Sequence, residues 1–373
     1  MRLSEVLPYP IWSRLQVARN WLAERPERAR IAALRPRVPR DRIAVWTCGS
    51  ASAETGRPLR GGRVKLGPLQ QAFPGTAEEF NVLYLVSSAL PPAAARWVQL
   101  AHDAGAVVVW NQNGIAWPGY IGRLHEFMNR PLAELLPQVD HVIFQSAYCQ
   151  SSTERFVGPI WRKSEVLHNA VDTERFVPGP PLPAEPLVVV MGGTHQQLYR
   201  VEVACRAIAI VQQRGRAVRL RLAGGLDFPG GRAAAEAALA ASGARDVELA
   251  GPYTRELAPS VFQSGHIALH TTYKDACPTT VVEALACGVP VVGVAAGGVP
   301  ELVGEDGGLA VAVRDSWDQT VPPDPALLAD GIERVAADLP RYAHGARARA
   351  VERFGQVAWL ERHRALFNEL LRL

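Results

Sequence analysis

Apolar residues along this chain fall in short unbroken runs instead of strict alternation. Residues 42–48 (RIAVWTC), 81–88 (NVLYLVSS), 106–110 (AVVVW) and 141–145 (HVIFQ) predict strands, and 166–169 (VLHN) predicts the last strand of the first half. Strands that are apolar on both sides are buried on both faces, which is the pattern of a parallel sheet covered by helices. Amphipathic stretches such as 91–105 lie between them and predict those helices. The segment 176–186 (FVPGPPLPAEP) carries too many prolines for a helix or central strand, so it predicts a linker. The pattern then restarts, with strands predicted at 187–193, 218–225, 247–251, 267–272, 290–295 and 309–313 and a strong helix at 199–215.

Two Rossmann-like, doubly wound α/β domains facing across a cleft are the economical architecture for such a repeat of alternating elements. The predicted organisation is a basic helical extension (1–41), a first domain (42–178), a second domain (179–355) and a closing helix (356–373). In that last helix Val357, Leu360, His363, Leu366, Phe367 and Leu370 recur at helical spacing.

At 373 residues the chain exceeds what one core normally serves, which agrees with two domains. Its 48% hydrophobic and 20% charged residues argue against disorder. A formal charge of +4 is too small to suggest nucleic acid as a partner. The five cysteines form no CxxC pair and no Cys/His cluster, which suits reduced thiols in the cytoplasm better than disulfides or a metal site. The start lacks the apolar core of a signal peptide, and no uncharged run reads as a membrane span.

The chemistry concentrates in 273–304 (YKDACPTTVVEALACGVPVVGVAAGGVPELVG). A strand ends near Thr272, a loop carries Pro278, and a helix begins near Thr279. Its first amides, at Thr279 and Thr280, lack intrahelical acceptors and sit at the positive end of the helix dipole, an arrangement suited to a diphosphate. Asp275 and Glu283 can both face the strand ends, where open α/β sheets bind ligands. Carboxylates accept hydrogen bonds from vicinal hydroxyls, so the pair suits a sugar and a ribose flanking that diphosphate.

This stretch resembles the signature of family-4 glycosyltransferases of the GT-B fold: an acid, seven residues, a Glu, then Ala-x-Ala-x-Gly-x-Pro-Val-Val. Asp275 and Glu283 hold the two acidic positions, followed by Ala284, Ala286, Gly288, Pro290, Val291 and Val292. Asp275 replaces the usual Glu and is shorter by one methylene. Residues 166–178 (VLHNAVDTERFVP) resemble the family's segment at the end of the first domain. The resemblance implies a retaining transfer of a hexose-type sugar from a nucleotide-diphosphate sugar, with no metal or other cofactor, onto a glycan, lipid-linked or small-molecule acceptor. It implies that Asp275 contacts the donor sugar and Glu283 the ribose. It also implies that Gly193, Thr194 and Arg200 occupy the diphosphate-binding positions, with Thr194 where the family has Arg and Arg200 where it has Lys. Gly61 and Gly62 correspond to its phosphate-side glycine loop. Non-catalytic scaffolds, epimerases and inverting transferases of the same fold are the alternatives.

Asn111, Gln112 and Asn113 follow an apolar strand, and such a polar run is costly to bury unless its amides find partners. Two readings are open: a turn rich in side-chain hydrogen bonds, or Asn113 placed over the donor sugar as a catalytic group. Pro252 and Tyr253 are candidate contacts for the nucleotide base. His168, His195 and His270 read as satisfied structural histidines. Finally, residues 1–42 hold ten Arg against four acids, +6, which leaves −2 on the remainder. With Trp12, Leu15 and Trp21 on a helix over 11–24, this segment predicts peripheral contact with an anionic membrane. The competing reading, favoured by the helix's shortness and by Glu24 and Glu27, packs it against the first domain.

Overall fold

The structure is a computed structural model that describes residues 9–49, 64–160 and 162–372, with side chains from residue 15 onward. The chain divides into two compact units. Unit 1 contains residues up to Leu167, together with Trp317–Gln319 and Leu360–Leu373, and unit 2 contains His168–Ser316 and Thr320–Trp359.

Unit 1 is built on five parallel strands, β1 (Val45–Trp46), β2 (Val82–Val86), β3 (Val107–Gln112), β4 (His141–Phe144) and β5 (Lys163–Val166). They lie side by side in chain order. Unit 2 has six parallel strands, β6 (Leu187–Met191), β7 (Val218–Ala223), β8 (Val247–Gly251), β9 (Ile267–His270), β10 (Val291–Val294) and β11 (Gly308–Val311). Their spatial order is β11-β10-β9-β6-β7-β8, so the winding reverses between β6 and β9.

Neighbouring residues of the unit 2 strands feed opposite faces of the sheet. Val190, Ala268 and Val291 pack with the helices Thr279–Ala286, Val299–Val303 and Leu339–Phe354. Val189, Ile267, Leu269 and Val292 pack with Leu198–Gln213, Gly231–Ser242 and Pro325–Ala337. Burial on both faces is why these strands read as unbroken apolar runs. The helix Leu198–Gln213 buries Val201, Ala204, Cys205, Ile208 and Val211 at three- and four-residue spacing. It stops before Gly215, whose φ of +92° suits a residue without a Cβ.

Three expectations need correction. The last strand of the first half is Lys163–Val166, not 166–169, because an edge strand half open to solvent can be polar, as KSEV is. The division falls at Leu167/His168, ahead of the 178/179 expected. The intervening segment is tied into unit 2 by Arg347, whose guanidinium donates to the carbonyls of Thr173 at 2.9 Å and Phe176 at 2.7 Å. In the closing helix Gln356–Leu371, Val357 is 74% exposed, while Trp359, His363, Leu366 and Phe367 form the buried face. Phe367 sets its ring edge-on to Phe73 at 5.4 Å, and His363 Nε2 lies 3.0 Å from the Tyr84 hydroxyl.

The N-terminal segment forms two helices, Tyr9–Ala23 and Arg25–Ala33. The second packs as expected: Trp97 donates its indole N–H to Glu27 at 3.1 Å, and Ile31 is buried. The first does not follow the packed reading, since Leu15, Val17, Trp21 and Leu22 are all exposed.

Phe367→Ala is expected to destabilise the protein by about 3–5 kcal/mol through cavity formation. Val357→Ala is expected to stay within about 0.5 kcal/mol. Urea unfolding of both variants checks the assignment of the buried face; equal shifts in the midpoint would contradict it.

Candidate active site

The reversal between β6 and β9 marks where an open α/β sheet holds ligand, outside the carboxyl ends of the strands. Three backbone segments converge there. After β6 comes Gly193, with φ +98°, and after β7 comes Gly224, with φ +127°. A Cβ on Gly224 would lie 1.6 Å from the Gly193 carbonyl oxygen, and a Cβ on Gly193 would lie 2.9 Å from the Thr280 methyl. Only glycines allow the two loops and the head of the helix Thr279–Ala286 to approach this closely. The loops are also joined by His195 N–H to Gly225 O and Asp227 N–H to His195 O, each 2.8 Å.

Pro278 precedes that helix, and no side chain caps it. The amides of Val281 and Val282 turn back to Pro278 O, and those of Thr279 and Thr280 head the helix. Arg200, in the first turn of Leu198–Gln213, is 7% exposed. Its guanidinium donates to Thr194 O at 3.0 Å, while its Nε is buried with no partner among the described residues. Burial lowers the Arg200 pKa, and the Asp275 carboxylate opposes that shift.

Asp275 follows β9 in a loop fixed along its length. Thr271 donates to Arg200 O at 3.1 Å, the Tyr273 amide donates to the Tyr199 hydroxyl at 3.0 Å, and Lys274 pairs with Asp315. The Asp275 carbonyl accepts from Gly298 N–H at 2.8 Å. Its carboxylate lies 3.5 Å from His270 Nε2. Glu283, one turn into the helix, has no hydrogen-bonding side-chain partner among the described residues. Loss of water pushes its pKa up to about 7, despite the charges of Arg255 and Arg175.

Gly193, Thr194, Arg200, Asp275, Pro278, Thr279, Thr280 and Glu283 therefore all line the carboxyl end of the unit 2 sheet or the helix beside it. Pro252 and Tyr253 follow β8 in the same unit, with Pro252 exposed. The Tyr253 hydroxyl engages the Gly193 backbone, and burial raises its pKa. It would lie 3.1 Å from a Cβ on Gly192, so Tyr253 buttresses the glycine loop.

Asn113 belongs to unit 1. Its side chain accepts from the Ser88 amide at 2.9 Å and donates to the Ser88 hydroxyl at 2.6 Å. Asn111 accepts from Lys65 at 3.0 Å and Gln145 at 2.9 Å, and Gln112 donates to Thr153 at 3.1 Å. Asn111 and Gln112 thus end β3 as buried strand residues whose amides hydrogen-bond within unit 1, in place of the turn of the first reading, and Asn113 follows the strand. Gly61 and Gly62 lie outside the described residues.

His168 is a satisfied structural histidine as expected, its Nε2 3.3 Å from Glu301. The other two differ. His195 is fully buried, with Nε2 3.2 Å from Ala223 O and Nδ1 unpartnered. Burial, and then the charge of Arg200, pushes its pKa down to about 3, so it is neutral. His270 Nε2 is buried without a hydrogen bond. Sequence reasoning missed these two groups and the glycine pair at 224–225; the signal for each was its position at the carboxyl end of a strand.

Residues 185–338 match the family model described as Glycosyl transferases group 1. A D-inositol 3-phosphate glycosyltransferase of Mycobacterium leprae is 32% identical over 208 residues, covering 51% of this chain and 44% of the relative. A subunit of the phosphatidylinositol N-acetylglucosaminyltransferase of Arabidopsis thaliana is 26% identical over 240 residues, 64% of this chain and 51% of the relative. The chain thus spans about half the length of the curated relatives it matches. Among solved structures, sucrose-phosphate synthase from Thermosynechococcus elongatus aligns with a TM-score of 0.71 at 16% identity, covering 91% of this chain and 100% of that one. HepE of Anabaena, solved in complex with UDP-glucose, aligns at 0.61 and 19% identity, covering 83% and 82%. The two parallel-sheet units are the Rossmann-like domains of the GT-B fold.

Proposed function

We propose that the protein is a family-4 glycosyltransferase that transfers a hexose-type sugar from a nucleotide-diphosphate donor with retention of configuration. The observation that carries this is a set of polar groups at one switch point: Arg200 Nε and His270 Nε2, buried without partners among the described residues, beside the Glu283 carboxyl, whose pKa is raised by loss of water. Buried polar atoms without partners are costly, and a ligand rich in hydroxyl and phosphate groups supplies what they lack.

In this reading the Thr279 and Thr280 amides and Arg200 receive the diphosphate. They stabilise the negative charge that grows on it as the bond to the sugar breaks. The loop Gly193–Thr194 brings backbone close to the phosphates. Glu283 accepts hydrogen bonds from the ribose, and Asp275 from the donor sugar, where its charge also favours a cationic anomeric carbon. Cation and amides on this chain meet the leaving group, so no metal or other cofactor is assigned a step. The acceptor is a glycan, a lipid-linked sugar or a small polyol; the inositol compounds in the names of the two curated relatives support the last two classes. A lipid-linked acceptor would also give the exposed first helix a purpose. Leu15, Trp21 and Leu22, flanked by Arg19, Arg25 and Arg28, match an anionic membrane surface, at about 1 kcal/mol per well-placed cation.

Incubation of the purified protein with a panel of nucleotide sugars, with product configuration read by NMR, tests the assignment. Slow hydrolysis or transfer with retention supports it; inversion would place the chain in another enzyme class, and inertness toward every donor would support a scaffold. Arg200→Ala is expected to lower turnover about a hundredfold, with Arg200→Lys recovering part of it. Wild-type kinetics in Arg200→Ala would return Arg200 to a structural role.

Glu283 gives a pH signature. Its raised pKa keeps the empty site protonated below about 7, and only the ionised form is the full acceptor for ribose hydroxyls. Nucleotide-diphosphate affinity should therefore rise as pH increases through that value, and Glu283→Gln should flatten the profile. Stability of the unliganded protein moves the other way. A carboxyl that binds its proton more tightly when folded loses stability for the protein as pH rises from the ordinary Glu range through about 7. Calorimetry from pH 5.5 to 8.5 reads both, and a flat wild-type profile would remove Glu283 from the site.

Sedimentation with anionic and neutral vesicles tests the helix Tyr9–Ala23. Binding should require anionic lipid, weaken in high salt, and be lost in Trp21→Ser/Leu22→Ser. Binding that ignores lipid charge would contradict the membrane role.

A further inference from the structure

We infer that His270 is a positioning residue for Asp275, its imidazole holding one carboxylate oxygen so that the other faces the donor sugar. The inference rests on the assignment of Asp275 to that sugar.

The geometry is specific. His270 is the last residue of β9, and its side chain is 7% exposed. Its Nε2 is 3.5 Å from Asp275 Oδ2, and it makes no hydrogen bond to any described residue. A buried imidazole nitrogen left just beyond bonding distance of a carboxylate needs little movement to close the gap, and apo sites commonly tighten in this way when substrate binds. Asp275 cannot easily move its backbone to avoid the contact. Its carbonyl is held by Gly298 N–H at 2.8 Å, and a Cβ on Gly297 would sit 2.2 Å from that oxygen. The pinned peptide leaves the side chain two torsions. An Asp, one methylene shorter than Glu, keeps its carboxylate beside the end of the strand where His270 waits.

The charged and titratable groups near His270 include Asp275, Arg200 and His195. His195 sits close enough for the charge of His270 to lower its pKa, and Arg200 close enough to feel the charge of Asp275. An Nε2–H on His270 gives Oδ2 a donor beside the Arg200 cation. Oδ1 stays free to accept from sugar hydroxyls. His270 touches no reacting atom; it acts through Asp275.

The test combines kinetics with a spectroscopic readout. Nucleotide sugars (UDP-glucose, UDP-N-acetylglucosamine and GDP-mannose) are assayed for turnover, and UDP and GDP for affinity. His270→Ala should reduce kcat about tenfold or more while leaving diphosphate affinity within about twofold, because Asp275 is assigned to the sugar and not to the diphosphate. His270→Gln, whose amide can donate at a similar reach, should recover part of kcat, and His270→Asn, which stops short, should not. Combined with Asp275→Asn, His270→Ala should add little, since both act through one carboxylate. Long-range nitrogen–proton NMR of the wild type should show His270 protonated at Nε2, with a signal displaced in Asp275→Asn.

Equal losses in kcat and diphosphate affinity, absence of rescue by Gln, or an Nδ1–H tautomer insensitive to Asp275→Asn would overturn the inference. Wild-type kcat in His270→Ala would overturn it while leaving the glycosyltransferase assignment intact. A protein inert toward every donor, yet with the expected NMR coupling, would instead overturn that assignment and leave the pairing of His270 with Asp275 standing.

Discussion

The candidate site depends on the cost of keeping charge and hydrogen-bonding capacity out of water without a partner. Glu283 carries that cost most plainly: burial lifts its pKa to about 7 while Arg255 and Arg175 only partly offset it. Arg200 Nε, His195 Nδ1, His270 Nε2 and Thr272 Oγ1 are buried atoms around β6 and β9 without partners among the described residues. A folded chain keeps such groups where a ligand completes them. The surrounding core supplies the means: Val189, Val190, Leu269, Val291 and Val292 are buried on both faces of the sheet, and that packing holds the unsatisfied groups in place.

Glycine makes the site possible by letting backbone approach backbone. Gly224 must lack a Cβ because the Gly193 carbonyl fills that space, and Gly297 must lack one because the Asp275 carbonyl does. The first contact locks the loops after β6 and β7 together; the second fixes the peptide that carries the donor-facing acid. Tyr253 reinforces the first by engaging the Gly193 backbone from behind. Rigid loops around unsatisfied side chains are what preorganised charge stabilisation requires.

Much of this was legible in the sequence, for identifiable reasons. Buried parallel strands announce themselves as unbroken apolar runs, so ten of the eleven strands overlap the segments read for them; β5 touches its segment only at Val166. The spacing of Asp275, Glu283 and the small residues after them is set by one strand–loop–helix turn, and it placed the main acids on that turn. Other features were hidden. The polar edge strand β5 carries no apolar run, and Arg347 draws residues 173–176 into unit 2 through backbone carbonyls, which leave no trace in residue types. Val357 and Trp359 are two residues apart and so lie on opposite sides of the helix, and Val357 kept helical spacing with the residues after it although its own turn is exposed. The role of His195 depends on a distance to Ala223 on the neighbouring strand, and that of His270 on how the loop after β9 folds Asp275 back toward it; residue types encode neither.

Hydrogen–deuterium exchange of the full chain, with and without saturating nucleotide diphosphate, tests the central claim most directly. A ligand seated at the switch point should slow exchange at the amides of Gly193–Thr194 and Thr279–Thr280, because these are the backbone donors that would meet its phosphates. Exchange there that is unchanged by every nucleotide diphosphate the protein binds would place the ligand elsewhere and contradict the assignment of this site.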